Sequence, residues 1–248
     1  MQRTAGMAFE LMRFTQSREH RHGDEAAGLS CVFLGFEFMP RIIAPTIANL
    51  GATDMSRYPH PELHDLPEDL RTKILEVQEK AGFVPNVFLA LARRPAEWRA
   101  FFAYHDALMV PESVGRESNL TKGDREMIVT TTSAANQCLY CVVAHGAILR
   151  IYEKKPLVAD QVAVNYRKAD ITPRQRAMLD FAMKVCQHSD LVEDADFTAL
   201  HAHGFNDEDI WDIAAITAFF GLSNRMASFS GMSPNPEFYL MGRVPKQK

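Results

Sequence analysis

Residues 121–152 read TKGDREMIVTTTSAANQCLYCVVAHGAILRIY, and this stretch decides the fold class. Thr121, with Asp124 three residues on, is a helix-start pattern: the hydroxyl serves the first unpaired backbone N–H groups. It opens a predicted helix over 121–135. Asn136 is the expected cap of a second helix over 137–152, whose residues are mostly apolar. Neither segment alternates polar and apolar residues as a half-buried strand does.

Helix signals recur on both sides. Residues 66–80 are amphipathic, with Leu70, Ile74, Leu75 and Val77 expected inward and the Glu and Lys residues outward. Pro85 and Pro95 punctuate the next stretch, and residues 98–109 read as another helix. Thr172-Pro173-Arg174-Gln175 combines a cap, a proline at the first helical position and a glutamine reaching back, and opens a helix to about residue 186. Asn206 with Asp209 opens a last long helix over 207–220, with continuation past Gly221 left open. No run of alternating strands and no fixed-period repeat is present. The expected fold class is all-α, over residues 56–248. Composition changes near residue 55, and residues 1–55 read as an N-terminal extension, an Arg/His-rich stretch followed by an irregular apolar segment.

The bulk numbers narrow the function classes. A chain of 248 residues can bury a full core without disulfides. Its net charge of −4 is spread along the chain, which argues against nucleic acid or an anionic membrane as partner. The mean hydropathy of −0.17 is that of a soluble globular protein. The most apolar early stretch, residues 29–50, is broken by Glu37, Pro40, Arg41 and Pro45, so no membrane span is expected. Glu10, Arg13 and Arg18 interrupt any secretory signal. A cytoplasmic location is therefore expected, and in that reducing compartment a close cysteine pair means redox or metal chemistry rather than a disulfide framework.

Cys138, Cys141 and His145 form that cluster. At about 100° per residue the three side chains share one narrow helix face. Sulfurs at i and i+3 can approach within disulfide range, and His145 lies one turn beyond Cys141. Peroxide is attacked by thiolate, so a helix N-terminus or a nearby base must lower the thiol pKa. Cys138, expected in the first turn, has the first aid; Cys141 is closer to the second. The attacked cysteine becomes a sulfenic acid that its neighbour condenses into a disulfide. Leu139, Val142, Val143 and Ala144 keep the surroundings apolar, which suits an organic peroxide. The plain alternative is a pair of small core cysteines beside a core histidine.

With Glu126 added, the spacing is Glu-x11-Cys-x2-Cys-x3-His. Here the chain resembles the alkyl hydroperoxidase D (AhpD) and carboxymuconolactone decarboxylase superfamily, and more closely its peroxidase-related branch. The resemblance runs over about residues 56–243 and includes Gly82-Phe-Val-Pro-Asn86, Thr132-Ser-Ala-Ala-Asn136 and Phe220-Gly-Leu-Ser-Asn-Arg225. It implies a compact helical bundle and a hydroperoxide-reducing enzyme without a bound cofactor or metal, re-reduced by an external thiol or dithiol, small or protein-borne. It also implies Cys141 as the attacked thiol, Cys138 as its disulfide partner, and His145 and Glu126 as a proton relay. A homo-oligomer, trimer or hexamer, is implied in the same way. The sequence departs from the family at Tyr140, where histidine is frequent. The relay sets a geometric condition: in one continuous helix Glu126 would point about 120° away from Cys138, so the helix must break near Asn136.

Other candidates carry less. Cys31 and Cys186 have no partner in the sequence pattern and read as inert thiols. His201 and His203, at i and i+2, lie on different helix faces, and with His188 read as solvated. Trp98, Phe101, Phe102, Trp211, Phe219 and Phe220 recur at helical spacing and are expected in the core or in an oligomer contact. Three other readings of the cluster remain: a zinc module ligated by the two thiolates, the imidazole and the carboxylate, a redox-responsive binding protein without turnover, and a decarboxylase. A C-x-x-C within a helix rather than a turn counts against zinc, and a lactone decarboxylase has no use for the pair.

Overall fold

The computed structural model describes residues 55–243, and among these there are helices and no strand. The extension proposed for residues 1–55 lies outside them apart from its last residue, as does Cys31. In chain order the helices are α1 (Glu68–Ala81), α2 (Asn86–Ala92), α3 (Pro95–Met109), α4 (Lys122–Ala135), α5 (Leu139–Glu153), α6 (Val158–Asn165), α7 (Pro173–His188), α8 (Asp194–Ala202), α9 (Asp207–Ser230) and α10 (Pro236–Leu240). None of them is long and apolar enough to cross a membrane.

The helix starts obey the capping chemistry. Reciprocal side-chain and backbone bonds join Thr121 to Asp124, Thr172 to Gln175, and Asn206 to Asp209. Each box satisfies two backbone N–H groups that the first turn leaves unpaired. The expected helix over 66–80 begins instead at Glu68, because Pro67 takes the cap position and disfavours helical geometry in the residue before it. The last long helix does run past Gly221, to Ser230, and ends where Gly231 turns left-handed at φ 67°. One inward assignment fails: Leu75 is half exposed. Of the aromatic residues, Trp98, Phe102, Phe219 and Phe220 are buried, whereas Trp211 is 71% exposed and takes no part in the core.

α4 is the axis of the bundle. It packs most extensively on α5, then on α9, α7 and α6. Every residue from Gly123 to Ser133 is buried, so the helix has no wet face on which to place a charge. Three ionisable residues nonetheless stand in succession on it, and each has a partner. Asp124 closes the capping box and accepts a bond from Gln175 Nε2 at 3.1 Å. Arg125 donates to Asp212 Oδ2 of α9 at 2.7 Å, both side chains being about 1% exposed. Glu126 turns toward α5 and meets His145. Asp212 also accepts from Arg116 and Ser118. Burial opposes its ionisation, but these bonds from Arg116 and Arg125 hold its pKa below the usual carboxylate value.

Arg125→Ala removes the buried cationic partner of Asp212 and leaves its carboxylate to Arg116 and Ser118 alone. It is expected to cost about 3–5 kcal/mol of unfolding free energy in urea titrations. A loss under about 1 kcal/mol, the size of an exposed ion pair, would show that this pair does not hold α4 to α9.

Candidate active site

The site is made by the junction of α4 and α5. Asn136 ends α4 with φ −82° and ψ 1°, and Gln137 then adopts a left-handed conformation at φ 55°. Two backbone bonds close this turn: Gln137 N–H to Ala134 C=O, and Cys138 N–H to Ser133 C=O, each at 3.0 Å. They satisfy carbonyls that the last turn of a helix leaves open. A non-glycine residue there costs about 1–2 kcal/mol.

Cys138, which finishes this turn, is also the N-cap of α5: its sulfur accepts the Cys141 N–H at 3.4 Å. The expected cap, Asn136, is displaced by two residues, and the helix begins at Leu139 rather than 137. Asn136 is spent on another bond, from its Nδ2 to Asn224 Oδ1 at 2.9 Å. The break required near Asn136 is thus present. It turns Glu126 toward α5, and Glu126 Oε2 lies 2.7 Å from His145 Nδ1 with both side chains largely buried. The edge of Phe220 packs on the same imidazole, with centroids 4.7 Å apart.

The two cysteines are about 1% exposed and their sulfurs are 2.8 Å apart. Their acidities are driven in opposite directions. A hydrogen bond from Cys141 lowers the Cys138 thiol to about 7, against the opposing effect of burial, with help from the Cys141 backbone N–H, Asn224 and the His145 charge. Cys141 is pushed the other way, first by Cys138 and then by burial. Asn224 also donates to Ser133 Oγ at 2.9 Å, which fixes its amide beside the sulfurs.

Cys141 lines a cavity of about 110 Å³, together with Tyr140, Ala144 and His145. Cys138 is not at that wall. The rest of the lining is mainly aromatic and aliphatic, from α1, α2, α3, α9 and α10. Tyr140 is at this wall too. Burial raises its pKa far above the ordinary phenol value, and its hydroxyl accepts the Val87 N–H at 3.2 Å, tying α5 to α2.

All four sequence-predicted residues therefore lie in one site, as two pairs. The other candidates do not join them. His201 pairs with Asp207 at the surface, and His188 and His203 are exposed. Cys186 is half-buried with its sulfur 3.7 Å from Asn136 Oδ1, and burial raises its pKa. No group of three or more His, Cys, Asp or Glu side chains among the described residues could hold a metal ion. Sequence reasoning does not single out Asn224, which bonds the sulfurs, or Ser223, Phe220 and His105, which line the cavity. Only the first three have a signal, the Phe220–Arg225 stretch that carries part of the family resemblance.

Two titrations test the site. Thiolate absorbance at 240 nm should rise with pH through a midpoint near 7, because the lowered group is the one that ionises first. Cys141→Ala should move that midpoint up by removing its largest cause; an unmoved midpoint would break the assignment. In urea, Gln137→Val should lower stability by about 1–2 kcal/mol, since a β-branched residue tolerates the left-handed region poorly, while Gln137→Gly should not. Equal unfolding midpoints for the two variants would contradict a strained turn.

The pattern of the carboxymuconolactone decarboxylase family matches residues 95–156. The crystal structure of the alkylhydroperoxidase AhpD core of a peroxidase-related protein from Ralstonia eutropha JMP134 is similar at 76% identity, with a TM-score of 0.74. The match covers 77% of this chain and 98% of the other. A peroxidase-related protein from Silicibacter sp. TM1040 is similar at 42% identity and a TM-score of 0.72, over 77% of this chain and 97% of that one. The debrominase Bmp8 shares the fold at 19% identity and a TM-score of 0.58, over 76% and 95% of the two chains. No curated protein matches the chain.

Proposed function

Because this chain belongs to the AhpD and carboxymuconolactone decarboxylase superfamily, in its peroxidase-related branch, we propose that it is a thiol-dependent hydroperoxide reductase. The observation that carries this reading is the coupled sulfur pair, 2.8 Å apart, with one member at the wall of an apolar cavity beside a His–Glu pair. A structural cysteine pair has no need of a cavity or of a proton relay.

In the proposed reaction Cys141 attacks the terminal oxygen of the hydroperoxide as its proton passes to the Cys138 thiolate. The O–O bond breaks, Cys141 becomes a sulfenic acid, and the alkoxide takes a proton from His145, which Glu126 holds in place. Cys138 then loses its proton to the His145–Glu126 pair and attacks the Cys141 sulfur. Hydroxide leaves and is protonated to water, and the disulfide forms. An external thiol or dithiol, small or protein-borne, returns two electrons and two protons. The sum is one hydroperoxide and one dithiol giving an alcohol, water and a disulfide. Such a cycle suits the reducing cytoplasm and needs no bound cofactor. Exposed Trp211, Leu222 and Phe229 on α9 support association of copies, and the family resemblance implies a trimer or hexamer.

Acidity and position disagree about which sulfur is attacked. Acidity favours Cys138; position favours Cys141, because the cavity reaches Cys141 and not Cys138. The proposed order follows position, since a proton can move between the sulfurs as the bond forms. Sulfenic acid trapping in single variants tests this. Cys138→Ser should trap label on Cys141 and then stall or over-oxidise, and Cys141→Ser should consume no peroxide. Label on Cys138 alone would reverse the order. Glu126→Gln and His145→Phe should slow peroxide consumption by about 10²–10⁴-fold while the protein stays folded. Unchanged rates would remove the relay, and no trapping with one zinc per chain would end the enzymatic reading.

A further inference from the structure

Asn224 is an amide on α9, about 1% exposed, where that helix packs on α4 and α5. A buried side-chain amide must place two N–H groups and one carbonyl oxygen. Two of the three are accounted for away from the sulfurs. Its Oδ1 accepts the Asn136 Nδ2–H and its Nδ2 donates to Ser133 Oγ, each at 2.9 Å. The Ser133 carbonyl in turn accepts the Cys138 N–H at 3.0 Å, which ties this partner of Asn224 to the redox pair. The second Nδ2–H remains, and the Asn224 side chain bonds both Cys138 and Cys141.

The direction of this amide is fixed by its neighbours. Asn136 Oδ1 lies 3.7 Å from the Cys186 sulfur, and burial raises the pKa of that thiol, so it stays protonated and donates. Asn136 therefore turns its Nδ2 to Asn224. Reversing the Asn224 amide would set N–H against N–H there and take the donor away from the sulfurs. The bonds thus run one way, from Cys186 through Asn136 to Asn224, and the last N–H faces the redox pair. Such a donor suits a charge that moves. Both cysteines are about 1% exposed, so a thiolate on either has no water to solvate it. A neutral amide takes up no proton, unlike an imidazole, and its dipole is in place before reaction begins. Ser223, which lines the cavity with Cys141, adds a bond to that sulfur.

We propose that Asn224 is a further catalytic residue: its second Nδ2–H donates to the sulfur that bears negative charge, and follows that charge from Cys138 to Cys141 as peroxide is attacked. The amide gains and loses no proton. Only the Cys141 proton moves, to Cys138, as the S–O bond forms. This deepens the hydroperoxide-reducing reading and rests on it for the attack itself, whereas the donor bond can be tested without peroxide. It also accounts for attack by the less acidic sulfur, since the charge arrives at Cys141 with a donor in place. Asn136 is a positioning residue that acts through the orientation of Asn224.

Thiolate absorbance at 240 nm, followed against pH in the full chain, tests the donor. Loss of a hydrogen bond to a charged group makes the thiol a weaker acid. Asn224→Leu, of similar size, should therefore raise the midpoint from near 7 by about one pH unit. Asn136→Ala keeps the donor but releases its orientation, and should raise the midpoint by less. A purely structural tie between α9 and α4 would lower the unfolding midpoint in urea and leave the thiolate midpoint in place. An unmoved thiolate midpoint in folded Asn224→Leu, or a larger shift in Asn136→Ala, overturns the assignment. Wild type gives a second reading that needs no variant to fold. In NMR of nitrogen-labelled protein, one Asn224 Nδ2 proton should move downfield with the same midpoint as the absorbance. Two Nδ2 protons that ignore the titration overturn the donor as well. Peroxide turnover separates the two readings. No turnover with the expected midpoint shift removes the enzymatic reading and keeps the donor bond, whereas turnover with an unmoved midpoint keeps that reading and removes Asn224 from it.

Discussion

One residue of left-handed backbone, Gln137, makes the rest of the site possible. A continuous helix through 122–153 would carry Glu126 and Cys138 on faces about 120° apart. The turn at Gln137 ends α4, lets Cys138 start α5, and folds the two helices onto each other so that Glu126 meets His145. The same turn gives Cys138 two roles, as the residue that closes one helix and the sulfur that caps the next. A thiolate at a helix N-terminus is stabilised by the unpaired N–H groups there. The acidity of Cys138, owed first to the Cys141 side chain, is thus helped by the backbone N–H of Cys141 that the chain reversal brings to it.

The buried surroundings of α4 explain why each ionisable group between Gly123 and Ser133 has a partner. A helix wetted on no side cannot keep an idle charge. Asp124 is consumed by the helix start, Arg125 by Asp212, and Glu126 by His145. Asn136 and Asn224 bond each other, and Asn224 in turn holds Ser133. The proposed relay thus has few alternative partners to leak into. The sulfurs divide their labour similarly. One has its pKa lowered and is set back from the cavity, the other is at the cavity wall and has its pKa raised. Neither has both properties, and a working centre needs the pair.

Much of this is legible from local pattern. The Thr121–Asp124, Thr172–Gln175 and Asn206–Asp209 boxes locate three helix starts because capping is a matter of residues three apart. The Glu-x11-Cys-x2-Cys-x3-His spacing gathers the four site residues and requires the break that the backbone makes. The failures are equally physical. α5 starts two residues later than its pattern suggests because a cysteine sulfur does the capping, where a serine or asparagine is expected. Leu75 sits at an apolar position of its helix, but periodicity cannot say whether another element covers it. Arg125 and Asp212 lie far apart in sequence and look like surface charges until the bundle closes on them. His105 joins the cavity from a helix with no motif of its own.

The proposed chemistry depends most directly on Cys138 and Cys141 being the redox centre, and peptide mapping after one equivalent of hydroperoxide tests that claim. Alkylation of remaining thiols, proteolysis without reductant and mass spectrometry should find a single intrachain disulfide between Cys138 and Cys141, with Cys31 and Cys186 alkylated. A disulfide involving Cys31 or Cys186, or Cys138 and Cys141 both recovered as free thiols while peroxide is consumed, would contradict it.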